Sequence, residues 1–176
     1  MGPIRIGWVG EGPPDRALLG HVGKHVARAF RAAVETFEAP GAPRHAFDPR
    51  RNQHSSGEIL KWLLPLAPEG GKVLGVTDRD LFIPILTYVF GEAQLGGAAA
   101  VISTARLGDE LDLFGPRVVR ERLAKEAVHE LGHCFGLRHC QTAGCVMGRS
   151  SSVRDVDEKG AGLCSDCRTR ITSRGA

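Results

Sequence analysis

The chain predicts a mixed α/β (α+β) fold, a twisted mixed β-sheet packed on long helices. Three observations carry that expectation: short β-branched runs alternate with helical periodicities, one amphipathic stripe begins near Asp15, and a second leads into a histidine cluster at His129. At 176 residues, 42% hydrophobic and 24% charged, the chain suits one soluble globular domain spanning 1–176.

The elements follow in order. Residues 4–9 (IRIGWV) alternate as a strand, and the glycines and prolines of 10–14 break the chain before a helix opening near Asp15. Leu18, Val22, Val26, Ala29, Phe30, Ala33 and Phe37 recur at three-to-four spacing, so that helix should continue until Pro40 stops it. PRHAFD (43–48) reads as a second strand. SSGE (55–58) reads as a capping box before a short helix, Ile59–Leu64, which Pro65 ends. KVLGVT (72–77) is apolar and β-branched enough for a third strand. TYVFG (87–91) and AAAVIS (98–103) flank Gly96-Gly97 as a hairpin or short return. Pro116 suits the first turn of the last long helix, on which Val119, Leu123, Ala127 and Leu131 repeat every four residues and lead to Phe135. Arg149–Gly162 is polar and reads as surface loop.

Several function classes are disfavoured. A net charge of +3, with both signs scattered, leaves no electrostatic footprint for nucleic acid. No apolar run reaches bilayer length, and the N-terminal residues lack a signal-peptide pattern, so a cytoplasmic monomer is expected. In a reducing compartment, closely spaced thiols are metal ligands more often than disulfide partners.

The chemistry concentrates in VHELGHCFGLRHCQTAGCVM (128–147). On a helix, His129 and His133 project from one face a turn apart and can hold one ion, while Glu130, offset by about 100°, stands beside it. This is the HExxH arrangement of zinc hydrolases. If the helix continued, His139 would point away; a turn at Gly136 brings it back to close a three-histidine site, leaving the fourth zinc position to water. A later carboxylate, Glu158, is the alternative third ligand. A shuffle of this composition would show the short motif in roughly one case in 60, but the match through Gly136 and His139 in about one in 10,000.

A second set overlaps the first. In an extended segment neighbouring residues face opposite ways, so His139 and Cys140 can serve different ions. Cys140, Cys145, Cys164 and Cys167 can close a tetrahedral structural zinc site, and the residues around them carry too little apolar surface to order themselves; two disulfides or free thiols are the alternatives. The expectation is therefore two zinc ions, one catalytic and one structural. Cys134 reads as a buried, unreactive thiol. Met147 is either core filling or a residue returning beneath the imidazoles. His21 and His25, four apart on the first helix with no acid behind them, read as solvated, as do His45 and His54. Asp78 and Asp80 read as turn residues.

H-E-L-G-H-C-F-G-L-R-H-C-x4-C-V-M, then C-S-D-C, with GVTDRDLF and YVFGEAQLGGAAAVIS upstream, resembles the archaemetzincin family of the metzincin clan over about residues 73–167. The resemblance implies a zincin/metzincin-like fold: residues 1–136 carry the sheet and active-site helix, and 137–176 form a small zinc-stapled part. It implies His129, His133 and His139 on catalytic zinc, Glu130 as general base and acid, Met147 as the Met-turn, and the four cysteines on a second zinc. The implied function is a zinc-dependent metalloprotease acting on a peptide or protein substrate laid along residues 88–95. Tyr88, the only tyrosine, stands far upstream of the methionine. A latent or narrow-specificity zinc hydrolase and a zinc-dependent adaptor without turnover are the rival readings.

Overall fold

A computed structural model describes residues 2–108 and 115–174. The main sheet contains β1 (Ile4–Trp8), β2 (Val34–Phe37), β5 (Lys72–Thr77), β7 (Gly91–Ala93) and β8 (Ala99–Ser103), in the order β2-β1-β5-β8-β7. Its first four strands run parallel, and β7 lies antiparallel at the edge. A small sheet joins β3 (Phe47–Asp48), β4 (Gln53–Ser55) and β6 (Leu81–Phe82).

Strand alternation divides the core. Ile4, Ile6, Leu74, Val76, Ala100 and Ile102 face one side, where they pack with α1 (Arg16–Phe30) and α3 (Gly115–Cys134). Val73, Ala99 and Val101 face the other, against Ile59, Leu60 and Leu63 of α2 (Ser56–Leu63). Two sides covered by helices explain why the parallel strands read as continuous apolar runs. Among the described residues no helix is long and apolar enough to cross a membrane.

Several expectations need correction. The first helix ends at Phe30, where Arg31 takes a left-handed conformation (φ 50°), and Val34–Phe37 becomes β2. Parallel pairing with β1, Ile4 opposite Val34 and Ile6 opposite Thr36, outweighs a helical spacing that Ala33 and Phe37 only happened to continue. PRHAFD forms a 3-10 turn, Arg44–Ala46, before the two-residue β3, because Ala46 N–H closes on the Pro43 carbonyl at 2.9 Å. Of TYVFG, only Gly91 enters the main sheet, while Val89 bridges Leu81. The polar segment 149–162 contains α4 (Val153–Glu158), opened by a reciprocal Ser152–Asp155 capping box. Charged groups of α3 hold it: Arg122 meets Asp157 in a two-pronged pair at 2.7 and 2.8 Å, and Lys125 donates to the Val156 carbonyl at 2.8 Å. A hydrophobicity pattern cannot register that kind of anchoring.

α2 starts three residues earlier than the expected Ile59 and ends at Leu63, one residue before Leu64. Ser55 caps it by accepting from Glu58 N–H at 3.4 Å, but the Glu58 carboxylate pairs with Lys61 and does not complete the box. A final helix, α5 (Ser165–Arg174), which no periodicity in the sequence signals, turns Cys167 and Ile171 into the core.

Candidate metal centres

α3 carries His129, Glu130 and His133, and its exit brings in His139. Gly136 has φ 82°, a conformation costly for a side chain; its N–H donates to the His133 carbonyl at 2.8 Å, and Leu137 N–H reaches back to Gly132 at 2.9 Å. The reversal leaves the His139 ring 5.3 Å from that of His129 and 5.1 Å from that of His133. One ring nitrogen from each of the three histidines lies within 4.8 Å of the others.

Backbone carbonyls orient two of these rings. Nδ1–H of His129 donates to Val146 at 2.9 Å, and Nδ1–H of His133 donates to Leu137 at 2.7 Å, a tautomer assigned from these acceptors. Both Nε2 lone pairs are thereby aimed inward, 3.1 Å apart. Two nitrogens bound at zinc-ligand length to one tetrahedral ion would stand about 3.3 Å apart, so the donor set fits a shared cation. Burial, reinforced by Lys159, pushes the His129 pKa down to about 3; burial also lowers His133 and His139. All three imidazoles are thus held in the neutral, ligating form.

Glu130 is buried beside them and is not one of the clustered donors. Burial, and next the charge of Glu126, raises its pKa well above the carboxylate range, while Lys159 opposes that rise. Lys159 arrives from just beyond α4. Its ammonium lies 2.7 Å from Glu126 as an ion pair without hydrogen-bond alignment, and 3.4 Å from His129 Nδ1; both partners of the pair are about 5% exposed. Sequence reasoning missed this pair, because the lysine sits in a polar stretch and nothing local signals its burial.

A cleft of ≈ 440 Å³ exposes this chemistry, walled by Tyr88–Ala93 on one side and Arg149–Ser151 on the other. Tyr88, far upstream of the methionine in sequence and first of the residues expected along the substrate, lines it and donates its hydroxyl to the Ser151 carbonyl at 3.4 Å. A larger depression of ≈ 600 Å³ near Trp8 and Phe37 is lined by neither histidine nor cysteine.

Met147 is fully buried and its Sδ lies directly on Gly132, one position before His133. A β-carbon at Gly132 would collide with that sulfur, so Gly132→Ala is expected to destabilise the protein by about 1–3 kcal/mol. Chemical denaturation would check this; an unchanged midpoint would show that the contact yields freely.

The four cysteines also converge. Cys140–Cys164 and Cys145–Cys167 Sγ pairs are each 3.9 Å apart, and all four sulfurs lie within 4.8 Å of one another. A disulfide holds its sulfurs near 2.05 Å, whereas thiolates on one tetrahedral zinc stand about 3.8 Å apart. Hydrogen bonds lower the Cys140 pKa and bring that of Cys164 to about 7; burial raises those of Cys145 and Cys167. Four sulfurs this close cannot all ionise without a cation between them.

The remaining candidates separate cleanly. Cys134 is buried, donates to the Ala99 carbonyl at 3.3 Å and is pushed up to about 12 by burial, as an inert thiol should be. Glu158 is largely exposed, 3.9 Å from Arg154 and outside the donor clusters. Asp80 ties Arg106 and Gln53 together, a structural role. His21 and His25 depart from expectation: Glu121 of α3 stands behind them, at 3.5 and 3.8 Å. Helix packing supplied the acid that neighbouring sequence lacked.

The fold and the HExxH-x5-H site together define a zincin-type, metal-dependent hydrolase. The model of peptidase family M54 matches residues 69–173. The chain belongs to peptidase family M54, the archaemetzincins, a family of zinc metallopeptidases. An archaemetzincin of Archaeoglobus fulgidus is 40% identical over 144 residues, 82% of this chain and 84% of its own length. The crystal structure of archaemetzincin from Methanopyrus kandleri superposes with a TM-score of 0.84 at 34% identity, covering 98% of this chain and 94% of that one. A zinc-dependent peptidase from Methanocorpusculum labreanum gives 0.82 at 27%, covering 96% and 99%.

Proposed function

We propose that this metallopeptidase hydrolyses peptide bonds with Glu130 as general base and acid, on a catalytic zinc held by His129, His133 and His139. The observation that carries the reading is the convergence of three neutral imidazoles next to a buried carboxylate that is not itself a ligand. When bound, zinc supplies a Lewis acid that polarises the scissile carbonyl and acidifies water. Glu130 accepts the proton of the attacking water and returns it to the departing amine. Val146 and Leu137 carbonyls keep two imidazoles aligned throughout. Met147 forms the floor under the histidine pair, and a second, structural zinc on Cys140, Cys145, Cys164 and Cys167 fastens a C-terminal subdomain, 137–176, to a subdomain of residues 1–136.

The substrate class is an extended peptide or protein segment. Among the described residues β7 is the edge strand of the main sheet and lines the cleft, so a peptide can add itself as a further strand through main-chain bonds, which read little side-chain identity. A cytoplasmic monomer without nucleic-acid partner remains the reading of its composition.

The test is incubation of the zinc-loaded protein with a diverse peptide mixture, read by mass spectrometry. Products that vanish on chelation and return with zinc support the assignment. No products would favour the adaptor reading, and turnover confined to one narrow chemical class would favour a specialised hydrolase.

Lys159 has a positioning part in this scheme. Its charge favours the carboxylate form of Glu130, so Lys159→Met raises the Glu130 pKa and leaves the base protonated to higher pH. The acidic limb of the kcat/KM profile should therefore move upward in pH. A limb that stays in place while activity falls uniformly would reduce Lys159 to a packing role.

A further inference from the structure

We propose a third metal site on this chain, formed by His21 and His25 of α1 and Glu121 of α3, where one zinc-class divalent cation bridges the two helices. One ligand atom from each residue lies within 4.8 Å of the others, which is the spacing of a three-ligand set before it contracts onto an ion.

The two histidines stand one helical turn apart with ring centroids 4.6 Å from each other, so both rings project from the same face of α1. Nδ1–H of His25 donates to the His21 carbonyl at 3.1 Å, which commits Nε2 as the free lone pair, just as carbonyls orient the rings of the three-histidine centre. His21 Nε2 has no exposed surface and makes no hydrogen bond; its nearest acid oxygen, Glu121 Oε1, lies 3.5 Å away. The second carboxylate oxygen is 3.8 Å from His25 Nε2. Both separations are too long for good hydrogen bonds. A cation between the nitrogens and the carboxylate would give every one of these atoms a partner.

The three side chains remain 25–46% exposed, leaving room for water as a fourth ligand. Two imidazoles and a carboxylate suit zinc, and also cobalt or nickel. Lys24 and Arg120 add positive charge nearby, so this site should fill after the other two centres. Glu121 precedes His129 by roughly 12 Å along α3, so a cation here would pin the active-site helix to α1 without touching the cleft.

The test compares zinc bound per chain, by equilibrium dialysis and elemental analysis, for the wild type and for a His21→Ala/His25→Ala variant of the full chain. The expected result is one zinc fewer per variant chain, with zinc-dependent loss of amide exchange in α1 confined to the wild type. If the double variant melts, Glu121→Gln, which keeps both imidazoles, carries the same comparison through ring-nitrogen NMR shifts of His21 and His25 on zinc addition. Equal zinc in both proteins, or a difference seen only at millimolar zinc, overturns the proposal and leaves two histidines that pair with Glu121 on protonation. Because the count is a difference between proteins, failure here is separate from failure of the peptidase assignment.

Discussion

Glu130→Gln should keep its zinc and lose peptide hydrolysis by about 10²–10⁴-fold, the range that a positioned general base contributes. Glutamine preserves the shape of a side chain packed in a buried site, so the fold has no reason to change. It removes the carboxylate assigned as proton acceptor, and the three clustered imidazoles are untouched. The fall should appear in kcat more than in KM, since proton transfer belongs to the transition state and not to substrate binding. Metal analysis beside kinetics separates the possibilities. Equal turnover by both proteins would mean a contaminating protease or a different base; loss of metal in the variant would mean that Glu130 holds the site together.

Removing metal from the proposed four-cysteine site should release the C-terminal residues as a unit. A structural zinc can supply on the order of 10 kcal/mol of folding free energy, and here few alternatives exist. α4 and α5 are short, their exposed surfaces are polar, and they and the link between them meet the rest of the molecule through Val156, Leu163, Cys167, Ile171 and a handful of charged contacts. In Cys145→Ser, or after chelation, amide exchange should rise sharply across 140–174 while β1, β5 and β8 stay protected. Activity should fall with it, because His139, Met147 and Lys159 all lie beyond the Gly136 turn. Unchanged protection after the cysteine-site zinc is removed would show that packing alone orders this part.

The clustering of the candidate site was legible in the sequence because helix geometry is local. Four residues advance slightly more than a full turn, so His129 and His133 share a face whatever packs around them, and Gly136 is the residue able to reverse the chain there. The alternation that sends His139 and Cys140 to different centres is equally local. The ends of elements were less legible. Spacing alone carried α1 through residues that belong to β2, since a strand is decided by the neighbour it pairs with.

Partnerships between distant segments came from packing. Lys159 looks like an ordinary surface lysine until α4 is anchored to α3 by Arg122 and Asp157; then it lies against Glu126 and His129. Tyr88 enters the cleft wall, and Glu121 meets His21 and His25, for the same kind of reason. Which residues can share a metal along one stretch of chain is written in the order of the residues, because bond geometry sets those positions within a turn or two. Which acid faces which base depended on how whole helices pack, a choice made by burial summed over the entire core.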